Sequence, residues 1–183
     1  MNSFDARVRY TRMVIEDSFL ELLKAKPLTK ITVTEVCQKA GINRATFYKH
    51  YLDIPDLFEK MEEQLFDQIR QMFRDKASNM ESMLLDMLNY TRQEGNRFFT
   101  LGGDHGDPDL MTKTFRICYE MAYPLLETNL PQVDASRRKM LYHFVSQGSG
   151  GVLTCWIRSG MKESPAEIID LIMTLCSNAL RDL

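Results

Sequence analysis

Apolar residues recur along most of this chain at intervals of three and four, with polar positions filling the opposite face; strand-like alternation is scarce. The pattern predicts an all-α fold. A first helix runs from about Asp5 to Ala25, with Val8, Ile15, Phe19, Leu22 and Leu23 on one face, and Lys26-Pro27-Leu28-Thr29-Lys30 ends it. Thr32-Val33-Thr34-Glu35 then forms a capping box, in which the threonine and the glutamate three residues on satisfy each other's orphan amides. It starts a second helix, Val33 to Ala40, with Val36, Cys37 and Ala40 inward, and Gly41 closes it in the left-handed region. Asn43 caps a third helix, Arg44 to Tyr51. Two short helices joined by a tight glycine turn make a helix-turn-helix.

Asp53 opens a fourth helix that reaches Lys76, with Leu57, Met61, Leu65, Ile69 and Met72 on a buried stripe. Ser78-Asn79-Met80-Glu81 is a second capping box, followed by a stripe of Met83, Leu84, Met87, Leu88 and Thr91. Leu101 to Asp109 reads as a loop. The sixth helix carries Met111, Phe115, Cys118, Met121, Ala122, Leu125 and Leu126, and Pro124 is expected to kink or split it. The seventh, Ala135 to Ser159, holds Gly148, Gly150 and Gly151 in its middle, where each glycine costs about 1 kcal/mol relative to alanine. Close approach of another helix is the simplest reason for such a cluster, and a local kink the alternative. Ser164-Pro165-Ala166-Glu167 starts the last helix, which is apolar over more than one face. A helix apolar on several sides is buried on several sides, either inside the protomer or at a subunit interface. The interface is expected at Phe144, Gly148, Val152 and Trp156 of the seventh helix and Ile168, Ile172, Leu175 and Ala179 of the eighth.

Charge adds a polarity to this picture. The net charge of −2 divides into nine Lys/Arg against five Asp/Glu over residues 1–52, and fourteen against twenty over residues 53–183. A basic N-terminal third on an acidic remainder points to a polyanion met by the first part only. No uncharged apolar run approaches the ~18 residues of a membrane span. Residues 1–13 are polar with Arg7, Arg9 and Arg12, so no signal peptide, no membrane partner and a cytoplasmic location are expected. Cys37, Cys118, Cys155 and Cys176 lie far apart on apolar stripes and are expected to be buried free thiols.

The third helix concentrates the candidate chemistry. Phe47 and Tyr51, four apart, close the small core, which leaves Arg44, Ala45, Tyr48 and Lys49 outward with Thr46 and His50 at the edges. Arginine or lysine donates to guanine O6 and N7, and a small alanine touches a thymine methyl. Hydroxyls and imidazole hold phosphates, which set register, and the N-termini of the second and third helices add amides for phosphate. A solvated amphipathic face is the competing reading of so short a helix. Enzymatic alternatives find little support: His105, in Asp104-His105-Gly106-Asp107, reads as part of a solvated loop because no second ligand is spaced for a metal, and no phosphate loop, nucleophile elbow or carboxylate pair occurs. Neither a cofactor nor a metal is expected. Twelve methionines suit either a ligand pocket or an ordinary core, and Tyr90, Phe98, Phe99, Met111, Phe115 and Tyr119 are the candidate lining of a pocket.

The run Ile31-Thr32-Val33-Thr34-Glu35-Val36-Cys37-Gln38-Lys39-Ala40-Gly41-Ile42-Asn43-Arg44-Ala45-Thr46-Phe47-Tyr48-Lys49-His50-Tyr51 resembles the DNA-binding domain of TetR/AcrR-type regulators, over about residues 7–60. By that resemblance the third helix enters the major groove. Arg44, Ala45, Tyr48 and Lys49 then face bases or adjacent phosphates, Thr32, Thr34, Thr46 and His50 face the backbone, and Asn43 is counted with the DNA-binding residues. Many members carry a lysine at the start of the fourth helix as a phosphate contact; here Ile54 stands there. In the second half, Asn96-Arg97-Phe98-Phe99, Gly148-Ser149-Gly150-Gly151-Val152 and Trp156-Ile157-Arg158-Ser159-Gly160-Met161 resemble a branch that includes dihydroxyacetone-kinase-type activators. The resemblance implies a homodimer through the last two helices.

The expected organisation is therefore a helix-turn-helix domain over residues 1–52 and a helical effector and dimerisation domain over 53–183, with helix 53–76 connecting them. Such a homodimer would bind a pseudo-palindromic double-stranded operator, two reading helices entering major grooves about 34–36 Å apart. A small-molecule effector or a partner protein at the C-terminal domain would alter the spacing of the heads by pivoting the fourth helix. Repression is the default expectation. Activation through a partner protein, or a helical interaction protein that does not bind DNA, are the alternatives.

Overall fold

The computed structural model describes residues 3–76 and 80–180, and its regular elements are all helical. In chain order they are α1 (Ser3–Ala25), a 3-10 turn (Leu28–Lys30), α2 (Val33–Ala40), α3 (Arg44–Tyr48), α4 (Ile54–Lys76), α5 (Met80–Leu101), α6 (Leu110–Asn129), α7 (Ala135–Arg158) and α8 (Pro165–Leu180). No helix among the described residues is long and apolar enough to cross a membrane. The second capping box, at 78–81, and the side chains of Met83, Leu84, Met87, Thr91, Met111, Phe115, Ala122, Leu125 and Leu126 lie outside the described residues.

The chain forms two compact units, one of residues up to Leu65 with Asn96–Met111, the other of Phe66–Gly95 with the residues from Thr112 onward. The first unit therefore takes in the N-terminal part of α4 and the α5–α6 junction, beyond residue 52. Its core joins Ile15, Phe19 and Leu23 of α1 to Val36 of α2, Phe47 of α3, and Leu57 and Met61 of α4. Phe19 and Phe58 meet edge to face at 6.3 Å between ring centres. Each of these large side chains, removed from water, contributes about 1.5–3 kcal/mol. In the second unit Trp156, Ile168, Ile169 and Ile172 gather around Leu88, and the Trp156 indole donates to the Glu163 carbonyl at 3.0 Å. The start of α8 is a complete capping box: the Ser164 amide donates to Glu167 Oε2 at 2.7 Å and the Glu167 amide to Ser164 Oγ at 3.3 Å.

Four expectations change. The third helix ends at Tyr48, not Tyr51, although the Tyr51 amide still donates to the Phe47 carbonyl at 3.0 Å, so the chain keeps a turn's winding. Pro124 lies inside an uninterrupted α6. Pro124 and Glu120 are both exposed, so the carbonyl that proline leaves without an amide is on the open side of the helix. Cys155 is exposed, and Cys118 and Cys176 are half-buried; only Cys37 is a fully buried thiol. The loop around His105 is not simply solvated: His105 Nδ1 donates to the Leu23 carbonyl at 3.0 Å and the Leu28 amide to the His105 carbonyl at 3.1 Å. Those bonds occupy a carbonyl in the last turn of α1 and the first amide of the 3-10 turn.

Candidate nucleic-acid interface

The helix-turn-helix is built from side chains that satisfy their own backbone. Thr32 accepts from the Glu35 amide at 3.3 Å, and Glu35 Oε2 takes the Thr32 amide at 3.0 Å and hydroxyl at 2.8 Å. The other carboxylate oxygen of Glu35 binds Lys26 Nζ at 2.5 Å. Lys26 first, then Thr32, hold the Glu35 carboxyl down at about 2. Gly41 ends α2 at φ 65°, where a side chain is strained, and the Ile42 amide closes on the Cys37 carbonyl at 3.0 Å. Asn43 Oδ1 then caps α3, accepting the Thr46 amide at 2.8 Å and hydroxyl at 3.0 Å. Phe47 and Tyr51 are buried with ring centres 5.7 Å apart, so the inner face of α3 is packed into the small core.

That leaves a defined outer face. Arg44, Ala45, Tyr48 and Lys49 are exposed, with Thr46 and His50 half-buried beside them and Thr32, Thr34 and Asn43 exposed at the helix starts. Arg44 Nη2 donates to the Tyr48 hydroxyl at 3.0 Å, which keeps the guanidinium over the aromatic ring and raises its pKa. Two threonines already serve caps: the hydroxyls of Thr32 and Thr46 donate to Glu35 and Asn43. Burial, then Arg12, then Lys49, push the His50 imidazole below its ordinary pKa. Lys26, Lys39 and Lys60 are paired with Glu35, Glu21 and Asp56 at 2.5, 2.5 and 2.9 Å.

Ile54 is buried, so the first turn of α4 offers hydrophobic packing where the family's lysine would offer a cation. Two cations were not anticipated at this site. Lys60 Nζ reaches back to the His50 carbonyl at 3.3 Å and lies 5.5 Å from the Tyr51 ring centre. Tyr51 first, with a smaller contribution from Glu16, raises the pKa of the Arg12 guanidinium. The placement of Arg12 one turn before Glu16 was the only trace of it in the sequence.

The other candidate residues are distributed between the two units. Phe98 and Phe99 belong to the first, with rings edge to face at 5.3 Å, and Phe99 lines an open cleft of about 270 Å³ with Leu23, Lys24, Thr100, Gly103, Asp104 and His105. Tyr90 and Tyr119 belong to the second. The Tyr90 hydroxyl donates to Gln68, and Tyr119 sits among Tyr123, Tyr142 and His143, with ring centres 4.9, 4.8 and 6.0 Å away. The side chains of Met111 and Phe115 lie outside the described residues. On α7 and α8, Trp156, Ile168 and Ile172 point into the protomer's own core and Val152 is half-buried against it. Phe144, Gly148, Leu175 and Ala179 are open. Phe144 is 68% and Leu175 52% exposed, and Met140 and Leu171, one turn before each, are exposed as well. A Cβ built on Gly148 or Gly151 would meet nothing within 4 Å in the chain. Among the described residues no group of three or more His, Cys, Asp or Glu could hold a metal.

A short helix locked into a three-helix core by one face, with a cationic and aromatic opposite face left open, defines a helix-turn-helix DNA-binding protein. Residues 78–178, more than half of the chain, match the family described as a transcriptional regulator C-terminal region, TetR_C_8. The chain belongs to the TetR family of transcriptional regulators. Proteins of this family bind operator DNA, dimerise and take small-molecule effectors. The uncharacterized HTH-type transcriptional regulator YxbF of Bacillus subtilis (strain 168) is 38% identical over 58 residues, 31% of this chain. The match spans only 15% of that relative's length. The dihydroxyacetone kinase operon activator DhaS superposes with a TM-score of 0.67 at 15% identity, over 94% of this chain and 97% of its own. A TetR transcriptional regulator from Streptococcus agalactiae 2603V superposes at 0.65 with 23% identity, over 96% and 99%. At such identities the likeness is one of fold.

Proposed function

We propose that this regulator reads a pseudo-palindromic operator with α3, as a homodimer joined through α7 and α8. The observation that carries the reading is the open Arg44, Ala45, Tyr48 and Lys49 face on a helix whose inner face is immobilised by Phe47 and Tyr51. Arg44 and Lys49 supply donors for guanine, Ala45 admits a thymine methyl, and Tyr48 presents both a ring and a hydroxyl. Thr34 and His50 hold phosphates, while Thr32, Asn43 and Thr46 fix the two helix starts that face the backbone. The dimer surface consists of Phe144, Gly148, Leu175 and Ala179, joined by Met140 and Leu171; Trp156, Ile168 and Ile172 support it from within. The reading module occupies residues 1–52, and residues 53–183 receive the effector and dimerise.

Repression is the mode we assign, because a dimer seated on a promoter excludes the polymerase. An effector binding the C-terminal part would release it through differential affinity for two spacings of the heads. Activation is the second reading, favoured by the likeness to an operon activator over nearly the whole chain. Footprinting on the DNA upstream of the protein's own gene and its neighbours tests the reading. A protected palindrome lost in Tyr48→Ala and Lys49→Ala proteins that still fold supports it; equal protection by both variants removes α3 as the reading helix. A reporter fused to the protected promoter separates the modes, rising on deletion for a repressor and falling for an activator.

A further inference from the structure

Glu16, in the middle of α1, is 5% exposed, and an ionised carboxylate is kept that far from water only where donors converge on it. They come from three other segments. The Tyr51 hydroxyl donates to Oε1 at 2.8 Å, Gln64 Nε2 of α4 approaches the same oxygen at 3.4 Å, and the Arg97 guanidinium of α5 pairs with Oε2. Arg12, one turn before Glu16 on α1, adds a positive charge felt by Tyr51 and Glu16. Tyr51 follows the last turn of α3 and its ring packs at a tilt against Phe47, so whatever holds its hydroxyl also bears on the rotation of α3. Arg97 stands just past the point where α5 passes from the second compact unit into the first. Of the three donors around Glu16 it alone carries a charge, and a charge-assisted bond is about twice as strong as a neutral one.

We propose that Glu16 and Arg97 are positioning residues for DNA recognition: the carboxylate clamps Tyr51, and Arg97 makes the clamp conditional on where α5 lies. With Arg97 on one carboxylate oxygen, the other is left to the Tyr51 hydroxyl. When α5 withdraws Arg97, the buried carboxylate turns to Arg12 one turn away, Tyr51 loses its acceptor, and α3 is no longer held in register. This deepens the operator-binding reading and rests on it for the DNA measurements alone.

The test uses full-length Arg97→Met, Arg97→Lys, Tyr51→Phe and the Arg97→Met/Tyr51→Phe double variant. Hydrogen–deuterium exchange is followed in peptides spanning 33–40 and 43–52. Operator affinity is read by anisotropy on a labelled duplex carrying the segment the wild type protects. The expected result is that Arg97→Met speeds exchange of 43–52 by about tenfold with 33–40 unchanged, and weakens the operator complex by about tenfold, the effect of losing one such bond. Arg97→Lys restores both, and the double variant is no worse than either single one. Unchanged exchange in 43–52, a uniform rise across both peptides, or strictly additive affinity losses would overturn the clamp. If the wild type protects no DNA, the operator reading fails while the exchange measurement still decides the clamp.

Discussion

At the scale of single residues, function rests on side chains whose partners in the free protein differ from those the DNA would offer. His50 is the clearest case. Desolvation, then Arg12 and Lys49, keep its imidazole neutral. A phosphate placed beside it favours the imidazolium, so the complex binds more protons than the free protein, and operator affinity is expected to rise as the pH falls below about 6.5. Titrating the duplex between pH 7.5 and 5.5 checks this, and His50→Gln should flatten the profile. For folding the sign is reversed: the depressed imidazole stabilises the native state above its ordinary value and loses that contribution as the pH falls through the folded one. Arg44 is held by Tyr48 at 3.0 Å, so Tyr48→Phe frees the guanidinium and separates the ring's contribution to operator binding from the hydroxyl's.

Among the elements, helix boundaries were legible wherever a local chemical signal sets them. The Thr32–Glu35 box, Gly41, the Asn43 cap and the Ser164–Glu167 box all stand where the sequence places them, because each bond spans three or four residues. Thr32→Ala is expected to cost about 1 kcal/mol, seen as a lower denaturation midpoint with an unchanged slope. Phe47→Ala should cost about 3–5 kcal/mol, since its fully buried ring has no route to solvent, and calorimetry will show whether the helix-turn-helix melts separately. The errors also have local causes. Pro124 signals a kink or a split of α6, and the split does not occur; the effect of a proline depends on whether the freed carbonyl is open to water, which the sequence does not state. His105 was read as solvated because its partner, the Leu23 carbonyl, is 82 residues away.

For the whole molecule the apolar stripes of α7 and α8 divide into two populations. Trp156, at 3% exposure, and Ile172 hold the protomer together, whereas Phe144 and Leu175 face outward. Leu175→Glu is therefore expected to yield folded monomers by light scattering with an unchanged helical spectrum. Ile172→Ala should instead lower stability by about 2–5 kcal/mol through the cavity it leaves. Folded dimers from Leu175→Glu would count against this surface. Operator affinity should fall steeply with added salt through counterion release, and less steeply for Lys49→Ala.

By itself the sequence determined the all-helical class, the helix-turn-helix and the outward face of α3, since these follow from periodicities and caps acting over one turn. Which apolar residues of α7 and α8 are spent inside the protomer was decided by tertiary packing, because a stripe's period does not say what it packs against. The same holds for the cluster around Glu16. Its donors come from positions 51, 64 and 97, and a buried carboxylate selects partners by distance in space, to which spacing along the chain is blind.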